Sequence, residues 1–165
     1  MKNILLILTL SLTSLASCQI TSNIITKTDF YNIKINNSTL NDIQATKGIR
    51  QQVRDLIPVI IKNATEEPEE DNYYSYKCDG FNLAFEENEI IAFKISKNNW
   101  NITIQGVTVT IGTNISALGN VVLNTQKNGN KSIIYQYCDG CNNFIYIYFD
   151  QFTNEITEIG FIEQT

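Results

Sequence analysis

The chain reads as an α+β domain: an antiparallel sheet built from two pseudo-repeats, each a strand, a short helix and a three-stranded meander, with the helices packed on one face. Three observations predict this. Apolar and polar residues alternate through two long tracts, 73–95 and 131–161, that are cut by Asp-Gly and Asn-rich turn signals. Helical spacing occurs only earlier in the chain, at Leu40, Ile43, Ile49, Val53, Leu56 and Ile57. Finally, three short landmarks recur in the same order in both halves.

At the N-terminus, Lys2 precedes an apolar run over 4–15 broken only by Thr9, Ser11, Thr13 and Ser14. This is the core of a signal peptide, too short to span a bilayer, which needs about 20 apolar residues. The run ends in Leu15-Ala16-Ser17-Cys18, which resembles the bacterial lipobox. The resemblance implies that residues 1–17 are removed and that Cys18 becomes an acylated N-terminus, a durable membrane anchor. Gln19 follows rather than Asp. By resemblance to the enterobacterial sorting rule, this directs the lipoprotein to the outer membrane, facing the periplasm.

Residues 18–29 are expected to be a tether and 30–165 a single domain, with pseudo-repeats at about 30–97 and 100–165. The whole chain has 12 basic and 17 acidic side chains. Loss of Lys2 with the signal leaves a net −6, which argues against nucleic acid or an anionic lipid surface as the main partner. There is no histidine. That excludes Ser-His and Cys-His nucleophilic sites and histidine-based zinc sites, and no catalytic constellation emerges elsewhere.

Within the domain, Tyr31 to Ile35 reads as a strand turned by Asn36-Asn37, and Ser38 as the cap of a helix carrying Leu40 and Ile43. A second helical stripe runs from Ile49 to Ile57 and ends at Pro58; Val59-Ile60-Ile61 is either a strand or more helix. Glu66, Glu67, Glu69, Glu70 and Asp71, gathered around Pro68, are expected to form an exposed loop and are a candidate surface for a basic partner. They lack the spacing and central Gly of a calcium loop. A meander follows: Tyr74 and Tyr76, the turn Cys78-Asp79-Gly80, Phe81, Leu83 and Phe85, a turn at Glu87-Asn88, then Ile91, Phe93 and Ile95.

The second half echoes the first. Ser38 to Ile43 is matched by Ser116 to Val121, Cys78-Asp79-Gly80 by Cys138-Asp139-Gly140, and Asn88-Glu89-Ile90 by Asn154-Glu155-Ile156. This tandem pattern, with Ile111 to Gly119 as the passage from strand to short helix, resembles the paired units of β-lactamase-inhibitor-protein-like folds. More loosely it resembles the small outer-membrane assembly lipoproteins (the SmpA/OmlA family). The resemblance implies a sheet whose concave face grips another protein.

With Cys18 acylated, Cys78, Cys138 and Cys141 remain. A structural disulfide is expected, pairing Cys78 with Cys138 or Cys141, or Cys138 with Cys141. Cys138 and Cys141 form a CxxC, but the strand context lacks the helix N-terminus of redox motifs, and a zinc site lacks a fourth ligand. Asp79 and Asp139 read as turn residues. Tyr73, Tyr74, Tyr76, Tyr135, Tyr137, Tyr146 and Tyr148 are divided between core and surface, and Trp100 is assigned to the core. The function expected is therefore non-enzymatic and free of cofactor and metal: a lipid-anchored module that binds another protein, as an immunity protein or inhibitor of a toxin or enzyme does. The alternative is an assembly lipoprotein of an outer-membrane complex.

Overall fold

Alternation of large apolar with small or polar residues gives the chain its longest strands, and their edges meet in one broad sheet. In a computed structural model, residues 22–58, 60, 68–69 and 73–163 are described. The elements are β1 (Asn23–Ile24), α1 (Lys27–Tyr31), β2 (Lys34–Ile35), β3 (Ser38–Thr39), α2 (Leu40–Ala45) and α3 (Arg50–Leu56). Then come β4 (Pro68–Glu69), β5 (Tyr73–Cys78), β6 (Phe81–Glu86), β7 (Glu89–Ile95), β8 (Asn101–Ile104) and β9 (Val107–Thr110). A 3₁₀ helix (Ile115–Leu118), β10 (Leu123–Thr125), β11 (Lys131–Gln136), β12 (Asn143–Phe149) and β13 (Ile156–Glu163) complete the order.

The architecture is mixed and mostly sheet, with antiparallel pairing throughout except that β1 runs parallel to β11. The large sheet has the order β4-β5-β6-β7-β13-β12-β11, and both β1 and β10 pair with the outer edge of β11. A smaller sheet has the order β3-β2-β8-β9. Cross-strand register lines up rows of inward side chains: Leu83, Phe93, Phe161, Ile145 and Tyr135 in one, and Phe81, Ile95, Ile159, Ile147 and Ile133 in the next. These rows join Phe30, Leu40, Ile43 and Val53 from the helices and Ile35, Ile102, Ile104 and Val109 from the small sheet in one buried cluster.

Local chemistry sets the boundaries. Thr39 accepts the Asp42 N–H at 3.0 Å while the Asp42 carboxylate accepts the Thr39 N–H at 3.1 Å, a reciprocal capping box that starts α2. Ser38, expected as that cap, instead donates to the Leu56 carbonyl at 2.9 Å and is buried. Only Thr39 has a carboxylate three residues on, which is what a capping box needs. Tyr31, expected in a strand, ends α1, because Thr26 caps that helix through the Asp29 N–H. The β6–β7 hairpin turns on Glu87 and Asn88, at φ 49° and 72°, the left-handed pair that matches strand twist.

Two further expectations are corrected. Within the 18–29 stretch expected to be a tether, Asn23–Ile24 extends the sheet opposite Tyr135 and Gln136, and Ile25 is buried. The Asn23 amide donates to the Ile134 and Val122 carbonyls and accepts the Val122 N–H, which ties this strand to two neighbours. The second correction concerns the acidic stretch. Pro68–Glu69 is a strand at the sheet's edge rather than a loop, pairing with Tyr74 and Tyr73. An edge tolerates Pro because only one side of the strand needs donors.

Candidate protein-binding face

The side chains that point away from the core define an open face of the large sheet. Register places Ser75, Ala84 and Ala92 side by side, followed by Ile162 and Phe144. The adjacent row is Lys77, Asn82, Lys94, Gly160, Tyr146 and Ile134. Small residues at the middle of the face leave a shallow depression of about 340 Å³, lined by Tyr73, Ser75, Ala84, Ala92, Tyr146 and Ile162 among others. Lys77, Asn82, Lys94 and Ile162, all exposed, also line it.

Tyr146 is the fixed point of this face. Its ring lies on Gly160: a Cβ at Gly160 would sit 2.3 Å from the Tyr146 hydroxyl. The hydroxyl donates to Glu158 Oε1 at 3.0 Å, and Lys94 Nζ lies 2.5 Å from Glu158 Oε2. Tyr148 packs beside it, ring centroids 4.7 Å apart. Burial, followed by the neighbouring Glu158 charge, pushes the Tyr146 phenol well above its ordinary range, so it remains a neutral donor. The Lys94–Glu158–Tyr146 chain gives this face a charged, oriented rim.

The sequence-predicted site residues fall in different places. Cys18 lies outside the described residues, as do Glu66, Glu67, Glu70 and Asp71; Glu69 belongs to β4. Cys138 and Cys141 form a disulfide, Cα atoms 5.4 Å apart, while Cys78 is a free thiol. From β5 to β11 is five strand spacings, about 24 Å, far beyond disulfide reach, so Cys78 cannot bridge to either. Burial first, then the Asp79 charge, pushes the Cys78 thiol up to about 11. Asp79 pairs with Lys97 and Asp139 is exposed in its own turn; they sit at opposite ends of the sheet and share no site. Among the described residues no group of three or more His, Cys, Asp or Glu side chains is placed to hold a metal ion.

The tyrosines divide by strand parity. Tyr76 and Tyr135 are in the core, Tyr74 and Tyr137 pack on it, and Tyr73, Tyr146 and Tyr148 point to the open side. Trp100 is wholly buried, stacked on Phe81 at 4.4 Å, its indole N–H donating to the Asp79 carbonyl. Gly160 was not singled out from the sequence, although a glycine inside a strand pattern signals close approach of another group.

No family model matches the chain, and no curated protein matches it. Among solved structures it is similar to an extracellular protein containing an SCP domain from Bacillus anthracis str. Ames, with a TM-score of 0.40 and 12% sequence identity. The match covers 70% of this chain and 43% of that one, so the chain spans less than half the length of the protein it matches.

Proposed function

We propose that this chain is an envelope lipoprotein, anchored through Cys18 in the outer membrane and facing the periplasm, that works as a non-enzymatic protein-binding module. It is of the kind that neutralises a toxin or enzyme. The observation that carries the reading is the open sheet face. A trough floored by Ser75, Ala84 and Ala92 accepts a partner's backbone or side chains closely. Tyr73, Tyr146 and Ile162 around it, with Tyr148 packed beside Tyr146, supply apolar area with little conformational entropy to lose.

The proposal includes the tandem architecture, two strand–helix–meander units with helices on one face. The strand orders support it. Each sheet reads outward from a central antiparallel pair, β7 with β13 in one and β2 with β8 in the other, through corresponding strands. Phe93 and Phe161, opposite each other at the junction, are stacked at 5.9 Å. Register shifts fall at Ala84/Phe85 and at Tyr148/Phe149, in each case just before the hairpin landmark of that half. Core residues from all three α-helices pack in the same cluster as the inward rows, which supports placing the helices on that side.

The test is capture from the membrane fraction with the lipoprotein as bait, comparing the unaltered chain with the outward substitutions Ala84→Arg and Ala92→Arg. The expected result is a specific partner lost in both variants while circular dichroism is unchanged. A toxin or enzyme as partner supports the inhibitory reading, and a resident outer-membrane complex replaces it with the assembly reading. A partner retained by both variants refutes the assignment of this face.

A further inference from the structure

We infer that the β12–β13 turn, with Phe152 at its tip, contacts a phospholipid bilayer and seats that end of the sheet on the membrane. The inference rests on the lipid anchor proposed at Cys18 and adds an orientation and a second point of attachment.

Phe152 is 95% exposed, the most exposed large apolar side chain among the described residues. It does not sit on a loose loop. Asp150 Oδ1 accepts the N–H groups of Phe152 and Thr153, each at 2.8 Å, and those two bonds, Thr153 first, hold its carboxyl below the ordinary range. The Asp150 N–H donates to the Glu155 carbonyl and the Asn154 N–H to the Asp150 carbonyl. The Gln151 side chain clasps both backbone groups of Lys131 at 3.1 Å, and the Asn114 amide donates to the Thr153 carbonyl. A turn built this firmly presents its aromatic ring to solvent at full hydration cost, which transfer into an interfacial apolar layer would relieve.

The direction of the chain supplies the occupant. β1 runs parallel to β11, with Asn23 opposite Tyr135, so the first described residue, Ser22, lies on the Lys131 side of Asn23, the side on which Gln151 and Phe152 sit. Cys18 is joined to Ser22 by four peptide units, a span of at most about 14 Å. Lys131 lies four residues back along β11, about 13 Å. The span from Cys18 to Ser22 is long enough for an acyl group on Cys18 to share a membrane surface with the Phe152 end. Val122, 41% exposed and bonded through its N–H to Asn23, adds apolar surface on that edge.

The two ends differ in charge. The Phe152 end sets exposed Lys97, Lys127 and Lys131 against Asp79, Asp150 and Glu155 and is close to neutral. The opposite end gathers Glu86, Glu87, Glu89 and Glu163 around one depression. A surface with anionic headgroups repels the second end and not the first.

The experiment uses the full lipoprotein carrying Phe152→Trp, with acylation of Cys18 read by mass. It is reconstituted in phosphatidylcholine–phosphatidylglycerol vesicles with and without bromine on the acyl chains. Trp100, the chain's one native indole, is wholly buried and provides the unquenched baseline. The expected result is a blue-shifted emission from the introduced indole, quenched by the brominated lipid, with quenching reduced by Lys127→Gln plus Lys131→Gln. An acylated, vesicle-bound chain whose introduced indole stays water-like and unquenched overturns the inference alone. A shift of that emission that needs added envelope protein reassigns the turn to a protein partner and equally overturns it. An unacylated Cys18 overturns the anchor reading, and this inference with it.

Discussion

Replacing Gly160 with Ala tests the open face directly, because the cost is set by one neighbour. The new Cβ would lie 2.3 Å from Tyr146 Oη, 2.4 Å from Cζ and 2.6 Å from Cε1. Ordinary contact begins near 3.5 Å, so the ring must move by about 1 Å. A displaced ring loses its hydrogen bond to Glu158, made at 3.0 Å, and its packing on Tyr148. Overpacking of this kind costs about 1–3 kcal/mol, while Ala is intrinsically better than Gly in a strand by about 0.5–1 kcal/mol. The expected net is a destabilisation of about 1–2 kcal/mol, or roughly 2–8 °C in Tm for a domain of this size. In a Tyr146→Ala background the clash is gone, and Gly160→Ala should be neutral or stabilising. Urea unfolding of the four members of this cycle gives the coupling. Equal cost in both backgrounds would refute the reasoning.

Three other predictions follow from the same geometry. Cys78, raised from 9.0 to about 11, should alkylate about tenfold more slowly than an ordinary thiol at pH 8: its thiolate is about a hundredfold scarcer, and greater intrinsic nucleophilicity recovers about tenfold. Because the fold favours the neutral thiol, its contribution to stability is whole below pH 9 and is lost as pH rises through about 11; a thiol-reactivity profile flattening near pH 9 contradicts this. Gly80→Ala should cost more than Gly140→Ala. Both sit at positive φ, 77° and 72°, but only at Gly80 would a Cβ meet Lys97, at 2.5 Å; equal shifts on thermal unfolding would discount the contact. Reduction of Cys138–Cys141, which closes a loop over a sequence separation of 3, should lower stability by about 2 kcal/mol in the chain-entropy model. A loss of 4 kcal/mol or more by denaturant titration would imply a long-range bridge instead.

Strand-forming residues were the most legible part of the sequence, because period-two alternation marks a half-buried strand: Phe81, Leu83 and Phe85 point inward in sequence and in structure. Short elements were less legible. α1 rests on Thr26 capping Asp29, a signal overshadowed by the apolar Tyr31, Ile33 and Ile35, and β1 is two residues whose pairing is set by Asn23 bonding across the chain to Ile134. The candidate face was legible only in its tyrosines. Its floor consists of residues with small side chains, Ser75, Ala84 and Ala92, which carry no pattern until register places them together. Phe152 was hidden differently, since a single phenylalanine in a polar turn looks like a core residue until its exposure is known.

The cysteines show why an internal echo in sequence is a poor guide to proximity. Cys78-Asp79-Gly80 and Cys138-Asp139-Gly140 are matched landmarks, and a bridge between their cysteines was one expectation. The two meanders, however, join through β7 and β13 running antiparallel. On the tandem reading, such a junction turns one unit by half a revolution relative to the other, so every pair of equivalent turns is sent to opposite ends of the sheet. Parallel joining would have brought them together; antiparallel joining excludes a bridge between Cys78 and Cys138 by geometry, whatever the redox conditions. The same rotation places the acidic β6–β7 turn, with Glu86, Glu87 and Glu89, at one end and its counterpart, the β12–β13 turn with Phe152, at the other. The two ends are thereby free to carry different chemistry, while the β7–β13 seam keeps a single continuous face between them.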